Sequence, residues 1–249
     1  MERMLGDVLT VVWKERKGLF RVRGRRTQAM LAMFSPILLA IYLPLQEGPR
    51  WVDGPLSLLL AFVAPLILVG ISVPDSFAGE RERHTLPTLL ASRLPDRAIL
   101  LGKISTSVAF GWLVTLAMLA VSLVVANAAH WDGQVSFYQP SILLADLGLG
   151  FLVAMLTATA GVLFSLRSAT AQEAQQTLMA VLLIPPMLLQ FALFAVMQSE
   201  RAEACLREVL GHLSFQQVIL VVLSILLVLV AGLSWSAVAR FKRDRLILG

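Results

Sequence analysis

The sequence predicts an all-α integral membrane protein of six transmembrane helices, and three observations carry the prediction. Of the 249 residues, 57% are hydrophobic and only 15% charged, with a mean hydropathy of +0.78. A water-soluble domain of this length cannot solvate such a surface. Six stretches are near-continuously apolar: Thr27–Leu45, Pro55–Val73, Ile104–Ala129, Ile142–Leu166, Thr177–Met197 and Val218–Ala239. Each approaches or exceeds the roughly 20 residues that a helix needs to cross a hydrocarbon core. Finally, Lys and Arg are unevenly shared: residues 1–26 carry eight, 75–103 five, Arg167 one and the tail after Ala239 four, against Arg50, Arg201 and Arg207 in the opposite loops. That bias sets both termini and the 75–103 segment in the cytoplasm. A β-barrel would instead show alternating strands of about ten residues, so helices are left to satisfy the backbone in lipid.

The elements follow in order. In residues 1–26, Met4, Leu5, Val8, Leu9, Val12 and Trp13 share one helical face, with Asp7, Thr10, Lys14 and Lys17 mostly opposite. This pattern predicts an amphipathic helix in the inner leaflet, followed by the basic turn "RVRGRR". The first apolar stretch follows a basic region as a signal peptide would, but it is span-length and no small-x-small cleavage site follows Leu45, so it reads as a retained span. The outer loops at Gln46–Gly54 and Ala128–Pro140 are short. Residues 198–217 differ: Ala202, Cys205, Leu206, Val209, Leu210 and Leu213 recur at helical spacing opposite Glu200, Glu203, Arg207 and Glu208, which predicts an interfacial or re-entrant helix before the last span. Pro36, Pro44, Pro65 and Pro185–Pro186 punctuate the spans, and Gly150, Ala154, Ala158 and Gly161 allow a close helix approach. The basic charge balance is accounted for by orientation and anionic membrane lipid; no nucleic-acid partner is expected. The lone Cys205 forms no intrachain disulfide and offers no metal-ligand spacing.

The sequence carries no recognisable catalytic constellation. His84, His130 and His212 are scattered, and no HExxH, GxSxG or GxxxxGK[ST] motif occurs. The notable ionisable residue in a span is Asp146, about one turn into the fourth span from the outer side. It reads either as an interfacial carboxylate that reaches water or as a cation or substrate contact. Asp146 and, in the fifth span, Gln190 are the candidate substrate-path residues.

The segment between the second and third spans reads "GERERHTLPTLLASRL". Thr85 suits a helix N-cap and Pro87 the first turn. Leu86, Leu89 and Leu90 would then form a small apolar face, with Glu80 at helical spacing from Arg83 and His84. Physics alone leaves two readings: a face that docks a soluble partner, or a solvated loop with its leucines against the membrane.

The longer stretch "SFAGERERHTLPTLLASRLPDRAILLGKI", Ser76 to Ile104, resembles the corresponding segment of ABC type-2 exporter permeases. The likeness is carried by Ser76, Ala78, Gly79, Glu80, Arg81, Glu82, Arg83, Thr85, Leu86, Leu89, Leu90, Ile99, Gly102 and Lys103. It covers about 30 residues; the rest of the chain agrees only in layout. His84 stands where that family has Gly, and Pro87 where it has Glu. The resemblance implies that 75–97 is a coupling helix, with Glu80, Arg81, Glu82, Arg83, Thr85, Leu86, Leu89 and Leu90 docking into a cleft of a separate ATPase. It further implies one permease domain over 1–249 without catalytic residues, a dimer with a second permease, same or homologous, that encloses the substrate path, and two ATPase subunits that bind ATP and Mg. The expected location is the plasma or inner membrane. Two other readings stay open: a membrane subunit doing mechanical or maturation work without export, and a membrane-embedded enzyme or secondary transporter.

Overall fold

The computed structural model describes residues 2–19, 26–197 and 214–240, and every regular element among them is helical. In chain order these are α1 (Glu2–Leu19), α2 (Arg26–Glu47), α3 (Pro49–Asp53), α4 (Ser57–Ser72), a 3-10 turn (Pro74–Ser76), α5 (Ala78–Glu82), α6 (Leu86–Leu90), α7 (Asp96–Ala129), α8 (Pro140–Arg167), α9 (Ala171–Met197) and α10 (Phe215–Arg240). Five stretches are long and apolar enough to cross a membrane: Ser57–Glu82, Asp96–Ala129, Pro140–Arg167, Ala171–Ala192 and Phe215–Ala239. The apolar part of α2, Met33–Glu47, is shorter than that measure. The chain is therefore a multi-pass helical membrane protein. The outer helix expected over 198–217 falls mainly on 198–213, outside the described residues.

The α4–α8 seam forms the middle of the bundle, with α7 and α9 against both and α10 against α8. The small residues of α8 explain the close approach. A Cβ at Gly150 would lie 3.4 Å from the Ala61 carbonyl, and one at Gly161 would meet Val73 at 2.7 Å. Between them Ala154 and Ala158 are fully buried, so the stripe predicted from sequence is the packing face. Both contacts run in the same chain sense, so α4 and α8 are parallel and start at the same end of the bundle.

Two apolar clusters stack along this seam. The one at the end carrying the charged insert gathers Val73, Phe77, Leu86, Leu89, Ile99, Leu100 and Val162. The one at the far end gathers Trp51, Val52, Leu60, Met118, Leu119 and Tyr138. Trp51 and Val52 belong to α3, so the Gln46–Gly54 segment contains a packed helical turn rather than a plain loop. The Trp51 Nε1–H donates to the Tyr138 hydroxyl at 3.1 Å, which also shares a 2.7 Å hydrogen bond with Ser122. A buried indole needs such a partner, and an isolated propensity reading of the loop cannot supply it. Burial pushes the Tyr138 phenol above its ordinary value, so it stays neutral. The prolines of α2, α4 and α9 lie inside continuous helices.

α1 is a helix, as its periodicity predicts, but its apolar residues are split between two faces. Val11 is buried against α7, where a Cβ at Gly102 would meet the Val11 Cβ at 2.6 Å. Glu15 lies on the same face and reaches Lys103 of α7. Leu9 and Trp13, a different apolar stripe, point outward. The helix thus packs on α7 with one edge and offers a second apolar edge to the surroundings.

Candidate functional site

The charged insert occupies residues 73–95 between α4 and α7. Four of its charges reach partners on five parts of the chain. The Glu80 Oε1 accepts from Lys103 Nζ of α7 and from Lys14 Nζ of α1, each at 3.2 Å. The Arg81 guanidinium donates to the Leu166 carbonyl at 3.0 Å and to the Ser168 carbonyl. These oxygens lie at the C-terminal end of α8, where helix carbonyls lack internal partners and a cation is favoured. The Glu82 Oε1 accepts from the Ala171 N–H at 3.0 Å, an orphan donor at the start of α9, where a carboxylate is favoured. Arg83 pairs with Asp75 of the preceding 3-10 turn at 3.2 Å. The alternating Glu-Arg-Glu-Arg run is a hub: adjacent side chains on a short helix point in different directions, so each finds a different neighbour.

Lys103 is the centre of the hub. Its side chain is 1% exposed. Its ammonium donates to Glu15 at 2.9 Å, to the Ser76 carbonyl at 2.7 Å and to Glu80. That uses all three of its donors, and the nitrogen also lies 5.0 Å from the Phe77 ring centroid. Glu80 is less complete, since its Oε2 has no hydrogen bond. Ser165 of α8 closes the hub from below. Its hydroxyl accepts from the Phe77 and Ala78 N–H groups at 3.1 and 2.9 Å and donates to the Pro74 carbonyl at 2.6 Å. Sequence reasoning missed Ser165; a serine in an otherwise apolar helix end was the available signal.

Several expectations are corrected here. Glu80 does not pair with Arg83 or His84, because a buried ammonium on α7 is the stronger partner and Arg83 has Asp75. Thr85 stands at the N-cap position of α6, but no side-chain cap forms; its hydroxyl donates back to the Glu80 carbonyl at 3.3 Å. Leu86 and Leu89 are not an outward face. They are 5% and 9% exposed and belong to the chain's own apolar cluster. The apolar faces of α4, α7 and α8 lie directly beneath α6, so the leucines fill that space. The side chain of Leu90 lies outside the described part of the structure. The residues that remain exposed are Glu82, Arg83, His84, Thr85, Pro87 and Thr88, a polar edge.

His84 adopts a left-handed backbone with φ of +55°, which favours glycine. This closes the turn between α5 and α6 with the His84 N–H on the Arg81 carbonyl at 3.0 Å and the Thr85 N–H on the Glu80 carbonyl at 2.9 Å. His84→Gly is expected to stabilise the chain by about 0.5–1 kcal/mol, and His84→Val to destabilise it by at least as much. Equilibrium unfolding of the two variants in one detergent checks this; equal stabilities would contradict it.

The two substrate-path candidates are not brought into one site. Asp146 is 1% exposed and does not reach water, which removes the interfacial reading. Gln190 is exposed on α9. No group of three or more His, Cys, Asp or Glu that could hold a metal ion occurs among the described residues. Comparison with protein-family models gave no match, and comparison with curated proteins gave none either.

Proposed function

We propose that the chain is the permease subunit of an ATP-driven ABC exporter. It sits in a plasma or inner membrane with six spans, α2 being the first, and with both termini and the insert in the cytoplasm. A pair of such permeases encloses the substrate path, and two ATPase subunits bind ATP and Mg. The observation that supports this reading most is the hub. The insert is bonded to α1, α7, α8 and α9 at once, so a push on it is delivered to four helices rather than absorbed in a loop. A solvated connection between two spans has no need of that. The likeness of residues 76–104 to the coupling segment of ABC type-2 permeases points the same way, as does the charge bias.

The docking surface in this reading is the polar edge from Glu82 to Thr88, because the leucines are already used. The test is purification of the full chain from its native membrane, followed by measurement of ATP hydrolysis. The wild type is expected to carry an ATPase subunit with a phosphate-binding loop. Thr88→Arg, which alters only an exposed position, is expected to remain folded and to lose at least about tenfold in bound ATPase, the loss that about 1.4 kcal/mol at an interface produces. A wild-type preparation without any ATPase, or full ATPase retention in the variant, contradicts the docking surface.

A further inference from the structure

Asp146 is the seventh residue of α8, and Ser57 opens α4. The next turn of each helix, at Gly150 and Ala61, forms the close α4–α8 contact. The parallel seam therefore brings Asp146 and Ser57 face to face one turn nearer the far end, and the Ser57 hydroxyl is the polar side chain turned toward the carboxyl. Both residues are buried, at 1% and 0% exposure. Neither the two carboxyl oxygens nor the serine hydroxyl completes a hydrogen bond. An ionised carboxylate in that position lacks both water and a counter-charge.

Among the described residues no fixed cation stands ready to supply one. The elements packed on α8 are α4, α7, α9, α10, the turn at Pro74–Ser76 and α5, whose charges Glu80, Arg81 and Glu82 lie at the insert end. Neither α4 nor α10 before Arg240 contains a titratable residue, and α7 has none beyond Lys103 and α9 none beyond Glu173, both near the insert end. Among the described residues the titratable group that bears on Asp146 from the far end is Tyr138, which is neutral and already bonded to Trp51 and Ser122. A hard metal cation takes about six oxygen ligands, whereas the side chains here bring three oxygens and the surrounding carbonyls are engaged in helical ladders. A proton needs only one carboxyl oxygen, which Asp146 provides opposite Ser57.

We propose that Asp146 and Ser57 form a proton-binding site in the α4–α8 seam, with Asp146 carried as the neutral acid while the seam is closed. Parting of the far ends of α4 and α8 exposes the carboxyl to water and releases the proton. Proton binding on that side of the membrane and closure of the seam then favour one another. The proposal rests on the seam alone and is independent of the export reading.

The test uses the full chain in lipid nanodiscs. Infrared spectra of protein grown on carbon-13 aspartate should show, at neutral pH, a protonated-carboxyl band that shifts with the label. Asp146→Asn should remove it. Asp146→Glu should replace it with a band that the aspartate label does not move, and so serves if the Asn variant fails to fold. A folded state that holds the extra proton loses stability relative to the unfolded chain as pH rises. The wild-type Tm is thus expected to fall by about 3 °C or more relative to Asp146→Asn between mildly acidic and alkaline pH. Absence of the band, its survival in Asp146→Asn, or a Tm that rises with added sodium or potassium only in the wild type would overturn the proposal.

Discussion

Lys103→Met is expected to lower stability by about 3–5 kcal/mol, because it removes one partner from a buried ionic cluster and leaves the others uncompensated. Glu15 and Glu80 would lose the ammonium at 2.9 and 3.2 Å, and the Ser76 carbonyl would lose its donor. Lys14 also touches Glu80, but its side chain is half exposed, so it offsets little. For a chain of this size the loss corresponds to a fall of roughly 10 °C in Tm. The double variant Lys103→Met, Glu80→Gln should recover about 1–3 kcal/mol of it, since the carboxylate left behind is then neutral. A double-mutant cycle in one detergent measures both figures. A single variant within about 1 kcal/mol of wild type would mean that the hub is solvated and weak.

Leu89→Asp is expected to abolish folding, whereas Thr88→Arg one position earlier is expected to be tolerated. Leu89 lies in the apolar cluster with Phe77, Ile99 and Val162. Removing its side chain costs about 2–5 kcal/mol, and a carboxylate in its place adds an unpaired charge in an apolar site. Thr88 faces outward and has neither role. Membrane-fraction yield and monodispersity on a sizing column report the difference. If Leu89→Asp accumulates at wild-type levels as a monodisperse species, α6 is not packed as described. The contrast also separates two kinds of failure in a partner-binding assay: a variant that has lost its surface, and one that has lost its fold.

Five long apolar helices were legible because they rest on composition and length, which act locally. The insert was legible as a concentration of charge but not as an arrangement. Its charges sit at spacings that suggest partners within one turn, yet Glu80 finds Lys14 and Lys103, which are 66 and 23 residues away, and Glu82 finds Ala171, 89 residues away. Only the packed bundle decides among such distant partners. The leucines misled for a related reason. A short apolar face next to charges looks the same whether it waits for another protein or covers its own core, and the choice depends on whether α4, α7 and α8 leave room beneath it. Asp146 was placed at the right helix and the wrong depth of burial, because distance along a span says nothing about which face looks inward.

The seat of α1 has a consequence for how the chain is made. Val11 needs the flat surface at Gly102, and Glu15 needs Lys103, its partner 88 residues further on. α1 therefore leaves the ribosome well before its seat exists and finds its place only after two further hydrophobic segments have been made. Through that interval the bilayer surface is its only apolar support. Leu9 and Trp13, which remain mostly exposed after α1 has joined α7, are the residues able to hold it there. A nascent chain halted before Lys103 should thus keep α1 on the lipid, and one released just beyond should lock it.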